Sequence, residues 1–300
     1  MKQGAAERQE GRTRRGWLGL LMLGAFLAGL LIVGGVFLLS GPGSPPSTDA
    51  PLPPAQAPPA ATAQAVPPPP AASPPPRLAI VVEDLGYDPS RDAEWLKFPE
   101  RITVAVLPFG PSSRQIAESA KARGWGVILH IPMEPESPAS DRTEGFRIRR
   151  GMTAEEMESL LARMFENVPQ ASGASNHMGS AVTANPEAMA AVASILAKKG
   201  FFLLDSVTTP GSVALEAARQ AGIPAARRDV FLDTGMSAEE MRRQWERALS
   251  LAREKGTAVL VCHGRTDTLR RLLELLPRLK EERVEAVTLE ELLREKAPRG

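Results

Sequence analysis

The 300-residue chain has three histidines, His130, His177 and His263, and each stands at or just after the end of a short apolar run. Three acids share that placement: Glu83 and Asp84 in V-V-E-D-L-G, and Asp205 in L-L-D-S. The histidines themselves lie in I-L-H-I-P-M-E-P, S-N-H-M-G-S and V-C-H-G. Imidazole is the commonest metal ligand at neutral pH and a ready proton shuttle, and two imidazoles with a carboxylate form a metal-binding set. Taken singly, each residue has a structural alternative. A strand-end histidine can be a hydrogen-bonded framework residue, Asp84 a turn residue before Leu-Gly, and Asp205 with Ser206 a cap or turn. The functional reading rests on all three histidines obeying one placement rule. The single cysteine, Cys262, excludes an intramolecular disulfide framework and a multi-cysteine zinc site within this chain.

The elements that must position these residues can be read from the same pattern. Leu78–Val82, Ile102–Leu107, Val127–Leu129, Phe201–Leu204, Ala258–Val261 and Val284–Val287 read as strands, with weaker ones near Ser172–Ala174 and Ala225–Arg228. Near-continuous apolar runs suit strands buried on both faces. Between them, Thr153 with Glu156, Ser237 with Glu240, and Thr288 with Glu291 fit the capping box that opens a helix. Asn185–Pro186 supplies another helix start and Gly200 its stop. Strands alternating with helices predict an α/β fold with a parallel sheet, either a distorted (β/α) barrel or an open doubly wound sheet. In both, strand C-termini share one rim, so residues far apart in sequence can converge there.

The chain before this domain is different. Residues 17–39 carry no charge and would make a helix of roughly 35 Å, enough to cross a ~30 Å hydrocarbon core. Lys2, Arg8, Arg12, Arg14 and Arg15 precede this run, and no Lys or Arg follows until Arg77. The positive-inside rule therefore predicts residues 1–16 in the cytoplasm, a bilayer span at 17–39, and the rest outside, periplasmic in a Gram-negative cell. A cleaved signal peptide is the alternative, with an unusually long apolar region and no clear cleavage site directly after it. Residues 40–76 are mostly Pro and Ala with one charge, Asp49, and read as a disordered, semi-rigid spacer before a domain at 77–300. Formal net charge is +1, with both signs interleaved, so nucleic acid is not an expected partner.

At these motifs the chain resembles the divergent polysaccharide deacetylases, distant relatives of NodB-type carbohydrate esterases. The stretches are IVVEDLGYD (80–88), ITVAVLPFGPSS (102–113), ILHIPMEP (128–135), GASNHMGSAVT (173–183), FFLLDSVTT (201–209), RDVFLD (228–233) and VLVCHGR (259–265). The resemblance implies a distorted (β/α) barrel of the glycoside hydrolase/deacetylase type. It also implies metal-assisted hydrolysis of an acyl amide on a polysaccharide or peptidoglycan-type substrate. By the same resemblance Glu83 is the general base, and Asp84, His130 and His177 hold a divalent metal, most simply zinc. His263 is then the general acid, oriented by Asp205. Glu134 occupies the position four residues after His130 where NodB-type enzymes carry a second histidine, which makes it a possible extra ligand. Asn176 and Ser206 are expected substrate contacts, with structural bonding the alternative for each. Arg228, Asp229 and Asp233 match family motifs and are expected to form structural ion pairs. The alternative function is a non-catalytic envelope binding or assembly protein on the same fold; a weaker one is an amidase acting on peptide bonds.

Overall fold

The computed structural model describes residues 74–137, 143–235 and 237–296, with residues 295 and 296 described without their side chains. By contacts the chain divides into two units, Met1–Pro68 and Pro69–Gly300. The expected cytoplasmic segment 1–16, the span 17–39 and the linker as far as residue 73 lie outside the described residues. Among the described residues no helix is long and apolar enough to cross a membrane.

Nine strands alternate with helices in the described residues: β1 Arg77–Leu85, β2 Thr103–Val106, β3 Gly126–Met133, β4 Gly173–Met178 and β5 Phe202–Asp205, then β6 Ala225–Arg227, β7 Val230–Phe231, β8 Thr257–His263 and β9 Glu285–Val287. Eight of them match the expected strands; β7, two residues long, is too short to leave a periodic pattern. Every pairing is parallel, and the hydrogen-bonded path runs β6-β5-β4-β3-β2-β1-β8-β7, with β9 joined to β1.

This order forces the sheet to curl. β6 and β7 are the two ends of the path, yet only Arg228 and Asp229 separate Arg227 from Val230. Three residue steps reach at most ~11 Å, so the sheet's ends must approach each other. The chain itself spans the seam: Arg228 donates its N–H to the Asp205 carbonyl of β5, and Asp229 donates to the Val259 carbonyl of β8. The result is a parallel α/β sheet curled towards a barrel, with chain rather than strand pairing at the seam.

Side chains sort by alternation along the strands. Ala79, Val81, Ala105, Ile128, Phe202, Leu204, Val259 and Val261 form an inner cluster. Leu78, Ile80, Val82, Val127, Leu129, Ala174, Leu203, Leu260 and Cys262 belong to the outer one, packed with residues from the surrounding helices. Leu289, Leu292 and Leu293 of the helix Leu289–Lys296 join the inner cluster. That helix closes the mouth at the strands' N-terminal ends: Leu289 donates its N–H to Thr103 Oγ1 at 2.9 Å, and Glu290 accepts from Ser172 Oγ at 2.9 Å. Burying each of these leucines contributes roughly 1.5–3 kcal/mol. The opposite, C-terminal rim is thus the end that the closing helix does not cover.

The helix starts follow their sequence signals. Thr153 and Glu156 form a reciprocal capping box, Ser237 accepts from the Glu240 N–H, and Thr288 and Glu291 bond each other in both directions. Asn185 Oδ1 accepts from the Ala188 N–H at 2.8 Å, and Gly200, at φ +69°, ends that helix in the left-handed conformation that glycine adopts freely.

Candidate metal centre

The inner row of several strands ends in a polar residue at the rim. On β1 it runs Ala79, Val81, Glu83; on β3 Ile128, His130; on β8 Val259, Val261, His263. On β4 the outward placement of Ala174 puts Ser175 and His177 on the inner phase, and the row of Phe202 and Leu204 on β5 continues to Ser206. A period of two therefore carries Glu83, His130, His177, Ser206 and His263 to one place.

Asp84 belongs to the wrong phase and arrives by a bulge. Val82 pairs with Val104 and Leu85 with Val106, so β1 advances three residues where β2 advances two. The extra residue makes room for Asp84 at φ +67°, a left-handed conformation that lets two consecutive acids both serve the rim. The bend is pinned on both sides. Arg91 Nη2 donates to the Asp84 carbonyl at 2.9 Å, and buried Asp92 accepts from the Gly86 N–H at 2.8 Å and from Ser112 Oγ at 2.5 Å.

One oxygen of Asp84 meets both imidazoles: Oδ1 lies 3.2 Å from His130 Nε2 and 2.9 Å from His177 Nδ1. The rings stand edge to face with centroids 5.1 Å apart. One ligand atom from each of the three residues falls within 4.8 Å of the others. A tetrahedral zinc site with ~2.05 Å bonds has edges of ~3.3 Å, close to the two oxygen–nitrogen separations seen here. The other nitrogen of His130, Nδ1, is 2.7 Å from Ser175 Oγ, which fixes the ring with Nε2 towards Asp84. Burial pushes His130 down to about 4, against its hydrogen bond to Asp84, so the ring is neutral at pH 7 and offers a lone pair. Burial alone would raise Asp84, but the hydrogen bonds to His130 and His177 prevail and hold it well below the usual carboxylate range. A carboxylate kept ionised beside two imidazoles is a donor set that fits a divalent cation.

Two groups flank this set. Glu83 is buried, accepts a hydrogen bond from Ser206 Oγ, and places Oε1 4.0 Å from His130 Nδ1. Burial, with the neighbouring Asp84 charge acting in the same direction, pushes it up to about 8 despite the Ser206 bond. His263 is 27% exposed, and its Nε2 lies 4.0 Å from Asp84 Oδ2. Its ring rests on Phe231, with centroids 4.8 Å apart.

Four expected site residues, Asp205, Asn176, Ser206 and Glu134, are placed otherwise. Asp233, not Asp205, holds His263: Oδ1 is 3.1 Å from Nδ1, both oxygens accept from the His263 N–H, and Thr268 Oγ1 donates to Oδ2 at 2.7 Å. Asp205 shares the outward phase of Leu203, so its Oδ1 instead accepts the Val207 N–H at 2.8 Å. Asn176 is likewise on the outward phase with Ala174. It ties two loops, accepting from the Ser206 N–H at 2.9 Å and donating to the Met178 carbonyl at 2.8 Å, and is buried rather than presented to a substrate. Ser206 spends its hydroxyl on Glu83. Glu134 lies just past the end of β3 and does not join the cluster of Asp84, His130 and His177. Its carboxylate accepts the Arg150 N–H at 3.1 Å. The role of Asp233 was within reach of the sequence, since it closes the apolar run V-F-L-D as the other site residues close theirs; nothing in composition marked Ser175 or Phe231.

The pattern of the divergent polysaccharide deacetylase family matches residues 80–293. The uncharacterized protein YibQ of Escherichia coli K12 is 36% identical over 200 residues, covering 67% of this chain and 62% of YibQ. An uncharacterized protein of Haemophilus influenzae is 34% identical over 206 residues, 69% of this chain and 73% of that one. This chain therefore spans less than two thirds of the length of YibQ. The crystal structure of the uncharacterized protein ATU2773 from Agrobacterium tumefaciens C58 superposes with a TM-score of 0.70 at 22% identity, over 75% of this chain and 92% of that one. At that identity the likeness is one of fold. With the family pattern running from within β1 into the closing helix, this chain belongs to the divergent polysaccharide deacetylase family.

Proposed function

We propose that this domain is a metal-dependent hydrolase that removes N-acetyl groups from an envelope polysaccharide outside the cytoplasmic membrane. The observation that carries the reading is the convergence of Asp84, His130 and His177 around one oxygen, with Glu83 and His263 beside them. Membership of a deacetylase family supports the substrate class. Asp84, His130 and His177 would hold the ion, for which the donor set favours zinc. When bound, such an ion polarises an acyl oxygen and lowers the pKa of water towards ~7.

The chain's own residues divide the proton traffic. Glu83 takes the proton of the attacking water. A nearby dication favours its charged form and offsets the effect of burial. Asp233 accepts at His263 Nδ1, so Nε2 is the nitrogen turned to the site, and in the imidazolium form it protonates the departing amine. Without that proton the amine is a poor leaving group. The uncharged run 17–39 and the Pro/Ala-rich stretch after it support a membrane tether with the domain held outside.

The test uses the full-length protein: metal content, and acetate released from N-acetylated peptidoglycan strands. One zinc per chain and acetate release, both lost in Asp84→Asn and His177→Ala, are the expected results. A folded protein that takes up no divalent metal would overturn the proposal. Zinc uptake with neither acetate nor peptide released would favour a binding module, and released peptide an amidase.

A further inference from the structure

We propose that Ser206 is a positioning residue that aims the Glu83 carboxyl at the rim, held for this task by a turn whose backbone is clamped from three directions. The turn follows β5, and the main-chain N–H and C=O groups of Ser206 and Val207 each have a side-chain partner. The Ser206 N–H goes to Asn176 Oδ1 at 2.9 Å and the Val207 N–H to Asp205 Oδ1 at 2.8 Å. Arg228 donates Nε to the Ser206 carbonyl and Nη2 to the Val207 carbonyl, the latter at 2.9 Å. Asn176 is anchored in turn on the Met178 carbonyl at 2.8 Å, next to His177.

Val207 shows what the clamp withstands. It sits at φ +53°, a conformation that a β-branched residue adopts only when its surroundings impose it. With the backbone of Ser206 and Val207 held in this way, Ser206 Oγ is left to donate to Glu83 Oε1. Ser206 is 2% exposed, which leaves its hydroxyl little access to a substrate. Arg228 also stacks on Phe231 at 5.0 Å, and Phe231 on His263 at 4.8 Å. The same clamp therefore buttresses the groups on both flanks of the metal centre.

The kinetic part of the test rests on the hydrolase reading; the structural part does not. Ser206→Ala removes the hydroxyl, and the pair Ser206→Thr and Ser206→Val isolates it, since the two side chains share a shape. Crystal structures of all four full-length proteins report the Glu83 rotamer, and zinc content and kinetics accompany them. One Glu83 rotamer is expected in the native and Thr proteins, and a displaced or divided one in the Ala and Val proteins. Zinc uptake and KM should stay within about twofold while kcat falls about 100-fold in Ala and Val and recovers in Thr, the cost of a roughly 1 Å misplacement. An unmoved Glu83 in both hydroxyl-free proteins overturns the proposal, as does a rise in KM with kcat intact. If the native protein releases no acetate, the hydrolase reading falls, and the Glu83 rotamer alone decides the role of Ser206. Should Ala fail to fold, the Thr and Val pair decides between the same two outcomes.

Discussion

Asp84→Asn is the most direct test of the metal centre, because it keeps the shape of the side chain and removes its charge. The native carboxylate places one oxygen 3.2 Å from His130 Nε2 and 2.9 Å from His177 Nδ1, so losing its charge removes the only anionic donor of the three. At free zinc one hundred times Kd, binding to the folded state adds about 2.7 kcal/mol of stability. For a domain of about 220 residues, at ~2–4 °C per kcal/mol, Tm should rise by about 5–11 °C. If the substitution weakens Kd about 100-fold, the same zinc adds only ~0.4 kcal/mol, and the rise shrinks to about 1–2 °C. Differential scanning calorimetry with and without zinc, after chelation, reads both values. An Asn variant whose Tm responds to zinc as fully as the native protein would refute the assignment of Asp84, and with it the geometry of the centre.

Glu83 supplies a pH test in the metal-free protein. Its pKa is about 8 in the fold and ~4.3 in an unfolded chain, so it binds its proton more tightly when folded. The stability this contributes is complete below pH ~4.3 and is lost as the pH climbs towards 8, with a ceiling of ~5 kcal/mol. Glu83→Gln should therefore gain on the native protein by about 1–4 kcal/mol between pH 5 and pH 8 in chelator-treated urea melts. A gap that is flat with pH sinks this reading; His130, pushed down to about 4, titrates in both proteins and largely cancels. Asp233→Asn should leave zinc uptake unchanged and cut kcat for acetate release by at least about 100-fold, because His263 loses the carboxylate that orients its ring and favours its imidazolium form. Equal kcat in the two proteins would remove Asp233 from the proton path. Leu292→Ala, at the closed mouth of the barrel, should cost about 2–5 kcal/mol in denaturant unfolding without altering zinc affinity. A loss below ~1 kcal/mol would mean that the closing helix contributes little to the core.

Much of this architecture was legible because it follows from local rules. Apolar runs marked eight of the nine strands, reciprocal capping boxes formed at Thr153 and Thr288, and Ser237 caps its helix through the Glu240 N–H. His130, His177 and His263 were found by one rule, a polar residue closing an apolar strand. That rule has a blind spot. It reports that a residue lies at a strand end but not which side of the sheet it faces, and a shift of one residue reverses the face. Asp205 and Asn176 satisfied the rule on the outward phase, whereas Asp233, which closes the run V-F-L-D two residues past β7, holds His263.

Asp84 is the instructive exception, because strict alternation would have sent it outward with Val82. It enters the site through a bulge that requires a left-handed aspartate, a conformation open to Asp and Asn at modest cost and scarcely to larger residues. The charge of Asp84 and its backbone role are therefore coupled at one position. Asn should preserve the bulge and lose the metal, while alanine, with no polar side chain to bond locally, should disturb both. The pair separates the two contributions. If the Asn variant keeps the native register in hydrogen exchange at Leu107, whose N–H is bonded to Leu85 just beyond the bulge, its lost zinc response is electrostatic in origin. If protection at Leu107 collapses in the Asn variant as well, the ionised carboxylate is itself part of what holds the bulge. The two imidazoles that share its oxygen would then be structural partners of the strand end before they are ligands.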